Sequence, residues 1–226
     1  MYDTILFDMD GTIVDTGVGI RLSVYDALLK MGIDVGDPDT LDYFIGPPLR
    51  TSFRTRFQLS EKETETVVQH FRKRYAERGI YEHEIYAGMA QLLHRLQKSG
   101  KRLAVATSKP TAFAREILHQ YGVDTCFTEI VGSEFDGSRS EKIDVLREVL
   151  HRLDLTEEER RRTAMVGDRK YDILGAKQFG LGSIGVEFGY AVPGELQEAG
   201  ADYCVADSVE LMALLLPEDE VQKKPV

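Results

Sequence analysis

Residues 4–12 read TILFDMDGT, an apolar run that ends in two aspartates and a glycine. The run predicts a buried β-strand at Thr4–Phe7. Side chains alternate along a strand, so Asp8 and Asp10 are predicted to project on the same side. They follow the carboxyl end of the strand, where open α/β sheets bind ligands, and Gly11 allows a sharp exit. Two neighbouring carboxylates repel each other unless a cation or a shared proton offsets the repulsion. A surface turn would explain the Asp-Gly pair taken alone.

A second acidic cluster occupies residues 165–172, which read MVGDRKYD. Another apolar run ends here in Gly-Asp. Asp172 follows Asp168 by four residues, so the two side chains would lie on the same face of a helix that begins here. Carboxylate oxygens converging from two strand ends suit a hard, octahedral cation, so we predict Mg²⁺ bound by Asp8, Asp10, Asp168 and Asp172. No histidine or cysteine clusters with these acids in the sequence, which argues against zinc or iron.

Polar residues that suit a phosphate group accompany two further predicted elements. Thr107 and Ser108 follow an apolar run directly before a helical pattern, and hydroxyls beside helix N-terminal amides bind phosphate. Lys142 begins another helical pattern, where a cation opposes the helix dipole, and an anion shared with the helix end would explain its position. A solvated surface lysine is the alternative for Lys142 alone. With Gly11, these residues form the predicted phosphate-binding set.

From Leu103 onward, predicted strands alternate with amphipathic helices, which favours an α/β fold with a parallel sheet covered by helices. The predicted strands are Thr4–Phe7, Leu103–Ala106, Ile130–Val131, Ala164–Val166 and Ser183–Val186. The helical patterns that accompany them are Ala87–Ser99, Pro110–Tyr121, Ile143–Leu153, Tyr171–Phe179 and Ser208–Leu216. The charged tail 217–226 is predicted to fray.

The long interval between the first two predicted strands indicates an insertion, because one crossover helix needs only about a dozen residues. Two amphipathic helical patterns, Val18–Met31 and Ser60–Arg78, lie within it. We therefore predict an all-helical subdomain at residues 16–85. The α/β core then comprises residues 1–15 and 86–226.

A stiff turn interrupts the helical insert at residues 45–49, which read IGPPL. Glycine and paired prolines punctuate helices, and Arg50 and Arg54 follow at helical spacing. We hypothesise that this turn faces the active site and that Gly46 and Arg50 contact the substrate. A plain inter-helix loop with solvated arginines is the alternative.

Composition narrows the possible partners. The 226 residues are 42% hydrophobic and 29% charged, as in a globular protein with a real core. Lys and Arg number 28 against 38 Asp and Glu, and the net charge of −10 argues against a nucleic-acid polymer as partner. A small phosphorylated metabolite stays compatible. The sequence shows neither a signal-peptide pattern nor a long apolar stretch, so we expect a cytoplasmic protein without membrane association, monomeric or a small homo-oligomer.

The order of these motifs resembles the haloacid dehalogenase superfamily over nearly the whole chain: DxDGT, a strand ending in Thr-Ser, a lysine, then GDxxxD. The resemblance implies a doubly wound, Rossmann-like core in which the helical insert is a C1 cap. It further implies that Asp168 ligates Mg²⁺ directly and that Asp172 orders the water molecules of the metal.

The resemblance also assigns roles in phosphoryl transfer. Asp8 would be the nucleophile that becomes an aspartyl-phosphate. Asp10 would be the general acid and base, and its backbone carbonyl would touch the metal. Thr107 and the Ser108 backbone would bind the transferring phosphoryl group, while Lys142 would neutralise it together with the nucleophile.

Hydrolysis of a phosphomonoester is the predicted reaction, because phosphatases are the commonest superfamily members with this cap. Phosphomutases of the β-phosphoglucomutase type keep both acids of DxD and remain an alternative. Dehalogenases lack the second acid, and P-type ATPases replace it by threonine and span membranes. A receiver-like phospho-acceptor is the non-enzymatic alternative, but receivers are much shorter and have no helical insert.

Two substrate classes stay open. The length and the cap position resemble phosphoglycolate phosphatases, but that group usually has proline after the motif lysine, where this chain has Ile143. The GDRKYD motif and the residues that follow it are more similar to a bacterial 5′-nucleotidase-like branch. Nucleoside monophosphates are therefore slightly favoured over phosphoglycolate.

Overall fold

The computed structural model describes residues 2–216 of the chain. The tail 217–226, predicted to fray, lies outside the described residues. The chain divides into two compact units. Of the described residues, one unit joins 2–13 with 85–216, and the other is Val14–Glu84.

Most of the strands form one parallel, largely buried sheet in the first unit. In chain order they are β1 (Thr4–Phe7), β2 (Val14–Asp15), β3 (Glu84–Ile85), β4 (Arg102–Pro110), β5 (Glu129–Ser133), β6 (Thr163–Gly167), β7 (Gly182–Val186) and β8 (Tyr203–Val205). Six of them form one sheet in the order β5-β4-β1-β6-β7-β8, and every neighbouring pair in it is parallel. The predicted α/β class is confirmed. β2 and β3 pair in a two-stranded sheet of their own.

The helices follow the predicted patterns closely in most places. They are α1 (Gly17–Lys30), α2 (Leu49–Phe57), α3 (Glu61–Glu77), α4 (Met89–Lys98), α5 (Thr111–Gln120), α6 (Lys142–Leu153), α7 (Glu157–Arg161), α8 (Lys170–Gln178), α9 (Glu195–Glu198) and α10 (Ser208–Leu215). The sequence patterns predict neither β8 nor α7 and α9, because elements of three to five residues are too short to show a period. Within residues 2–216, no helix is long and apolar enough to cross a membrane.

β1 lies at the centre of the sheet and is wholly buried. It pairs with β4 on one side and with β6 on the other, and Ile5, Leu6 and Phe7 have no exposed surface. Leu6 belongs to an apolar cluster with Leu146 and Val149 of α6. A strand buried on both faces reads as a continuous apolar run rather than an alternating one, which is why TILF is diagnostic.

The strand order reverses at β1. The chain passes from β1 to β4 and β5 on one side of the sheet, then returns to add β6, β7 and β8 on the other side. Connections therefore diverge at the carboxyl end of β1 and leave a crevice there, which is where doubly wound folds bind ligands.

The unit Val14–Glu84 has its own helical packing. α1 approaches the turn after α3 by backbone contact, since a Cβ atom on Gly19 would lie 2.3 Å from the carbonyl oxygen of Gly79. Arg74 of α3 donates hydrogen bonds to Ser23 Oγ at 3.1 Å and to Glu82 Oε2 at 2.6 Å. The bond to Ser23 joins α3 to α1, the two longest helices of the unit, and the bond to Glu82 ties α3 to the segment that follows it.

Candidate active site

Buried carboxylates gather at the carboxyl ends of β1 and β6. Phe7 pairs with Val105 of β4 and with Val166 of β6, so the residues that follow these strands emerge side by side. Oxygens of Asp8, Asp168 and Asp172 lie within 4.8 Å of one another, and all three residues are buried. Acids from two distant parts of the sequence thus form one cluster, which contains three of the four acids that the motifs predict as metal ligands. The fourth, Asp10, is not part of this cluster, and its side chain pairs with Lys109.

Lys142 supplies the cation of this cluster. It is the first residue of α6, and its Nζ lies 2.8 Å from Asp8 Oδ1, 2.8 Å from Asp172 Oδ1 and 2.8 Å from the carbonyl oxygen of Ala106, to which it donates a hydrogen bond. The side chain is only 6% exposed. The alternative of a solvated surface lysine is therefore wrong.

Asp168 is held by backbone and side-chain donors. The Tyr190 N–H donates to Oδ2 at 2.7 Å, and the Thr12 hydroxyl donates to Oδ1 at 3.4 Å. The Tyr190 N–H does not stand out in the sequence, since its contact depends on long-range folding. Thr12 is the last residue of the DxDGT motif, although the motif did not indicate its contact with Asp168.

Close backbone approach around these acids requires glycine. A Cβ atom on Gly11, whose φ is +79°, would lie 2.1 Å from Asp168 Oδ2. A Cβ on Gly189 would lie 2.4 Å from the Asp168 Cβ, and one on Gly167 would lie 2.2 Å from Asp172 Cγ. Gly11 is therefore placed beside a metal-ligand candidate, where a larger residue would displace the carboxylate.

Charge in the cluster is unbalanced without a further cation. Burial, together with Asp8 and Asp172, raises the pKa of Asp168 well above its usual value. Burial raises the pKa of Asp172 to about 6, although Lys142 opposes the shift. Burial by itself would lower the pKa of Lys142, but Asp172 and Asp8 together outweigh it and raise that pKa. Three carboxylates facing one ammonium leave two negative charges, which matches one divalent cation.

The donor set also fits a divalent cation. Asp8 Oδ1 and Asp172 Oδ1 are buried and, although both lie near the Lys142 ammonium, neither accepts a well-directed hydrogen bond from the described residues. Buried carboxylate oxygens are otherwise satisfied. Oxygen ligands of this kind are those that Mg²⁺ prefers.

The predicted phosphate-binding pair lies in an irregular end of β4. Ala106 pairs with Val131 of β5, but the next paired residue on β4 is Pro110, opposite Ser133. Four residue steps on β4 thus face two on β5, and the resulting bulge contains Thr107 and Ser108. Thr107 is 1% exposed and directly follows Ala106, whose carbonyl accepts from Lys142.

Lys109 is a site residue that the sequence motifs did not identify. Its Nζ lies 3.2 Å from Asp10 Oδ1, and both side chains are nearly buried. Its position in the sequence gave no signal, because Lys109 lies between Ala106 and Pro110, where the bulge takes side chains out of the regular alternation of a strand.

The two predicted substrate contacts of the insert, Gly46 and Arg50, lie in the unit Val14–Glu84. Gly46 has a φ of +101° in the turn before α2, which is the left-handed conformation that glycine tolerates. The Arg50 guanidinium donates to Glu65 of α3 and forms an ion pair with it. Arg50 therefore has a structural partner within its own unit.

Known proteins resemble this chain along most of its length. Residues 5–186 match the family of haloacid dehalogenase-like hydrolases. The 5′-nucleotidase of Pseudomonas aeruginosa is 40% identical over 214 residues, which cover 95% of this chain and 96% of that protein. The tyrosine-protein kinase PtkA of Mycobacterium tuberculosis is 38% identical over 186 residues, or 82% of this chain and 62% of that protein. The phosphoglycolate phosphatase of Colwellia psychrerythraea is 27% identical over 221 residues, or 94% and 96%.

Structural comparison agrees. The crystal structure of a predicted phosphatase from Clostridium acetobutylicum has a TM-score of 0.91 to this chain at 39% identity, covering 96% of this chain and 99% of that one. The superfamily resemblance drawn from DxDGT, Thr-Ser, lysine and GDxxxD is confirmed, as is the Rossmann-like fold class. The chain therefore belongs to the haloacid dehalogenase-like hydrolase family, and it is a phosphatase of that family.

Proposed function

We propose that this protein is an Mg²⁺-dependent phosphatase that hydrolyses small phosphomonoesters through an aspartyl-phosphate on Asp8, with nucleoside 5′-monophosphates as the favoured substrates. The observation that carries the proposal is the buried cluster in which Lys142 Nζ lies 2.8 Å from both Asp8 and Asp172, with Asp168 beside them. This cluster stands at the sheet's ligand-binding edge.

Electrostatics explains why the nucleophile needs cationic neighbours. At about 4 Å and an effective dielectric constant near 20, a carboxylate and a phosphate dianion repel each other by roughly 8 kcal/mol. That repulsion corresponds to about six powers of ten in rate. Lys142 offsets part of it, since its ammonium touches Asp8 and lies where charge gathers during transfer.

The remaining residues position and protonate the substrate. The Thr107 hydroxyl and the Ser108 backbone N–H bind the phosphoryl oxygens while Asp8 Oδ attacks phosphorus. Asp10 donates a proton to the leaving oxygen as the P–O bond breaks. It then accepts a proton from the water that cleaves the aspartyl-phosphate, which releases phosphate and regenerates both carboxyl groups.

Asp8 and Asp168, the Asp10 backbone carbonyl and, through water, Asp172 would hold Mg²⁺. The bound ion supplies Lewis-acid neutralisation of the phosphoryl oxygens. The unmatched negative charge of the cluster supports this assignment, as do its two oxygens that accept no directed hydrogen bond from residues 2–216.

Nucleotides are favoured over phosphoglycolate because this chain is more similar in sequence to the relative named 5′-nucleotidase. The relative named 5′-nucleotidase is 40% identical, and the one named phosphoglycolate phosphatase is 27% identical. Both cover at least 94% of this chain. Ile143 after the motif lysine points the same way, because phosphoglycolate phosphatases usually have proline there.

Phosphate release from a substrate panel tests the proposal. The panel contains nucleoside monophosphates, phosphoglycolate, sugar phosphates and an aryl phosphate, each with Mg²⁺ or with EDTA. We expect turnover only with Mg²⁺, the highest kcat/KM for a nucleoside monophosphate, and a higher Tm with Mg²⁺ because the ion binds only the folded state. Turnover undiminished by EDTA would contradict the metal assignment, and a preference for phosphoglycolate would contradict the substrate assignment.

Two results of the same panel would indicate another reaction. Sugar-phosphate isomerisation with a bisphosphate activator, in place of phosphate release, would identify a phosphomutase. Transfer from ATP to a tyrosine peptide would identify the activity for which the PtkA relative is named. A phosphorylated protein that persists for minutes without turnover would indicate a phospho-acceptor.

We further propose that residues 16–85 act as a cap over the substrate. Variants of Arg50 test whether this residue of the cap contacts the substrate. Because Arg50 pairs with Glu65, Arg50→Ala and Glu65→Gln break the same ion pair. If Arg50 only holds the helices together, both variants should change kcat/KM equally. If Arg50 contacts the substrate, Arg50→Ala should lower kcat/KM about 10-fold more than Glu65→Gln, since one hydrogen bond to a charged group is worth about 1.5–3 kcal/mol.

A further inference from the structure

Lys109 occupies a segment of β4 that is bent out of the regular ladder. The bulge between Ala106 and Pro110 contains it, and Lys109 is 7% exposed. A buried lysine is unfavourable unless an anion pairs with it. A bulge in a strand re-aims side chains away from their ladder positions.

Several contacts hold this bulge in place. Ser133 Oγ donates to the Ser108 carbonyl at 2.8 Å, and the Gly132 N–H donates to Thr111 Oγ1 at 3.0 Å. A Cβ atom on Gly132 would lie 2.1 Å from the Lys109 carbonyl oxygen, so only glycine admits the bent strand. The bulge is therefore a built feature that fixes the direction of Lys109.

The Lys109 side chain meets Asp10. Its Nζ lies 3.2 Å from Asp10 Oδ1, and the side chains are 5% and 10% exposed. An ammonium only donates hydrogen bonds, so Oδ1 is kept as an acceptor. The proton that a carboxyl group passes to a substrate must then reside on Oδ2.

We propose that Lys109 is a positioning residue that holds the Asp10 carboxyl group so that Oδ2 exchanges the proton with the leaving oxygen. The inference rests on the proposed function, in which Asp10 is the general acid. Lys109 acts through Asp10 and does not bind the phosphate. Without Lys109 the carboxyl group loses the contact that fixes Oδ1, which weakens proton transfer and leaves phosphate binding unchanged.

The basicity of the leaving group separates these roles. An alkoxide needs a proton as it departs, whereas a weakly basic aryl oxide such as 4-nitrophenolate departs without one. The value of kcat/KM depends only on the steps up to and including phosphoryl transfer to Asp8. The later hydrolysis of the aspartyl-phosphate therefore does not affect it. A residue that positions the acid therefore matters for alkyl phosphates alone, whereas a residue that binds the phosphate matters equally for both.

The experiment compares Lys109→Met, Lys109→Arg and Asp10→Asn on one alkyl phosphate and on 4-nitrophenyl phosphate. Positioned acid–base groups contribute about 10²–10⁴-fold. We expect Lys109→Met to lower kcat/KM for the alkyl ester by roughly 10–100-fold and to change the aryl value by less than about 3-fold. Lys109→Arg should recover part of the loss. The double variant Lys109→Met with Asp10→Asn should be no slower than Asp10→Asn alone, because both changes disable the same general acid.

Lys101→Met is the matched control. Lys101 is 8% exposed and directly precedes β4, at the opposite end of the strand from the site. It should leave both kcat/KM values unchanged. Equal losses for the two esters in Lys109→Met would overturn the inference in favour of phosphate binding, and no loss for either would overturn it outright. Failure of the proposed function would look different, because the wild-type protein would then hydrolyse neither ester.

Discussion

Asp8→Asn is expected to lower kcat for every phosphomonoester by roughly 10⁴-fold or more, the scale of loss when a covalent nucleophile is removed. The amide has nearly the same shape as the carboxylate but cannot form the aspartyl-phosphate. It also removes one negative charge from a buried cluster that has an excess of them. The variant should therefore fold at least as stably without Mg²⁺ as the wild-type protein, so the loss of turnover cannot be attributed to unfolding.

Rapid acid quench and mass spectrometry check the mechanism behind this loss. The wild-type protein should carry one phosphoryl group on the peptide that contains Asp8 during turnover, and Asp8→Asn should carry none. Asp3→Asn is the matched control, because Asp3 precedes the same strand at its other end, half-exposed and 2.7 Å from Arg162. It should keep the wild-type kcat. Substantial turnover by Asp8→Asn would refute the assigned nucleophile.

Lys142→Met is expected to lower kcat/KM by about 10³-fold and to destabilise the fold by about 3–5 kcal/mol, as when one partner of a buried ion pair is removed. The ammonium lies 2.8 Å from Asp8 and from Asp172, so its loss leaves three buried carboxylates without an internal cation. Saturating Mg²⁺ should recover part of the lost Tm but little of the activity, since the phosphoryl group still lacks the Lys142 charge.

A double variant separates the two effects of this lysine. Asp172→Asn added to Lys142→Met removes one of the unpaired carboxylates, so the free energy of unfolding should rise above that of Lys142→Met alone. Activity should stay low. Chemical denaturation and steady-state kinetics on the same preparations make the comparison. A Lys142→Met protein with wild-type kcat/KM would show that the lysine is structural alone.

Local patterns were sufficient for the main elements of the core. The apolar runs before Asp8 and Asp168 predicted strands, because a strand that is buried on both faces is apolar throughout. Parallel strands end at the same edge of a sheet, so the runs also predicted that the two acids meet. The alternation of strands and helices predicted the parallel sheet. The large interval after β1 predicted a separate helical segment. Short elements such as β8 carry no period and were not found.

The details of the site depended on contacts between residues far apart in the sequence. Lys142 and Asp8 are an example: the sequence offered a solvated lysine as an alternative, and only the packing of α6 against the sheet shows the ion pair. The Tyr190 N–H that holds Asp168 comes from a loop without any motif. Arg50 was expected to contact substrate, but its contact with Glu65 depends on how α2 meets α3.

The sequence by itself determined the family, the α/β sheet and the three acids of the buried cluster, because a strand's hydrophobic pattern and the residues that follow it are local properties. Only the tertiary structure decided which cations meet which acids. The bulge in β4 turns Lys109 toward Asp10, and the start of α6 brings Lys142 to Asp8 and Asp172. The energy of such a buried ion pair depends on the distance between the two charges. No short stretch of sequence encodes the distance between residues that are far apart along the chain.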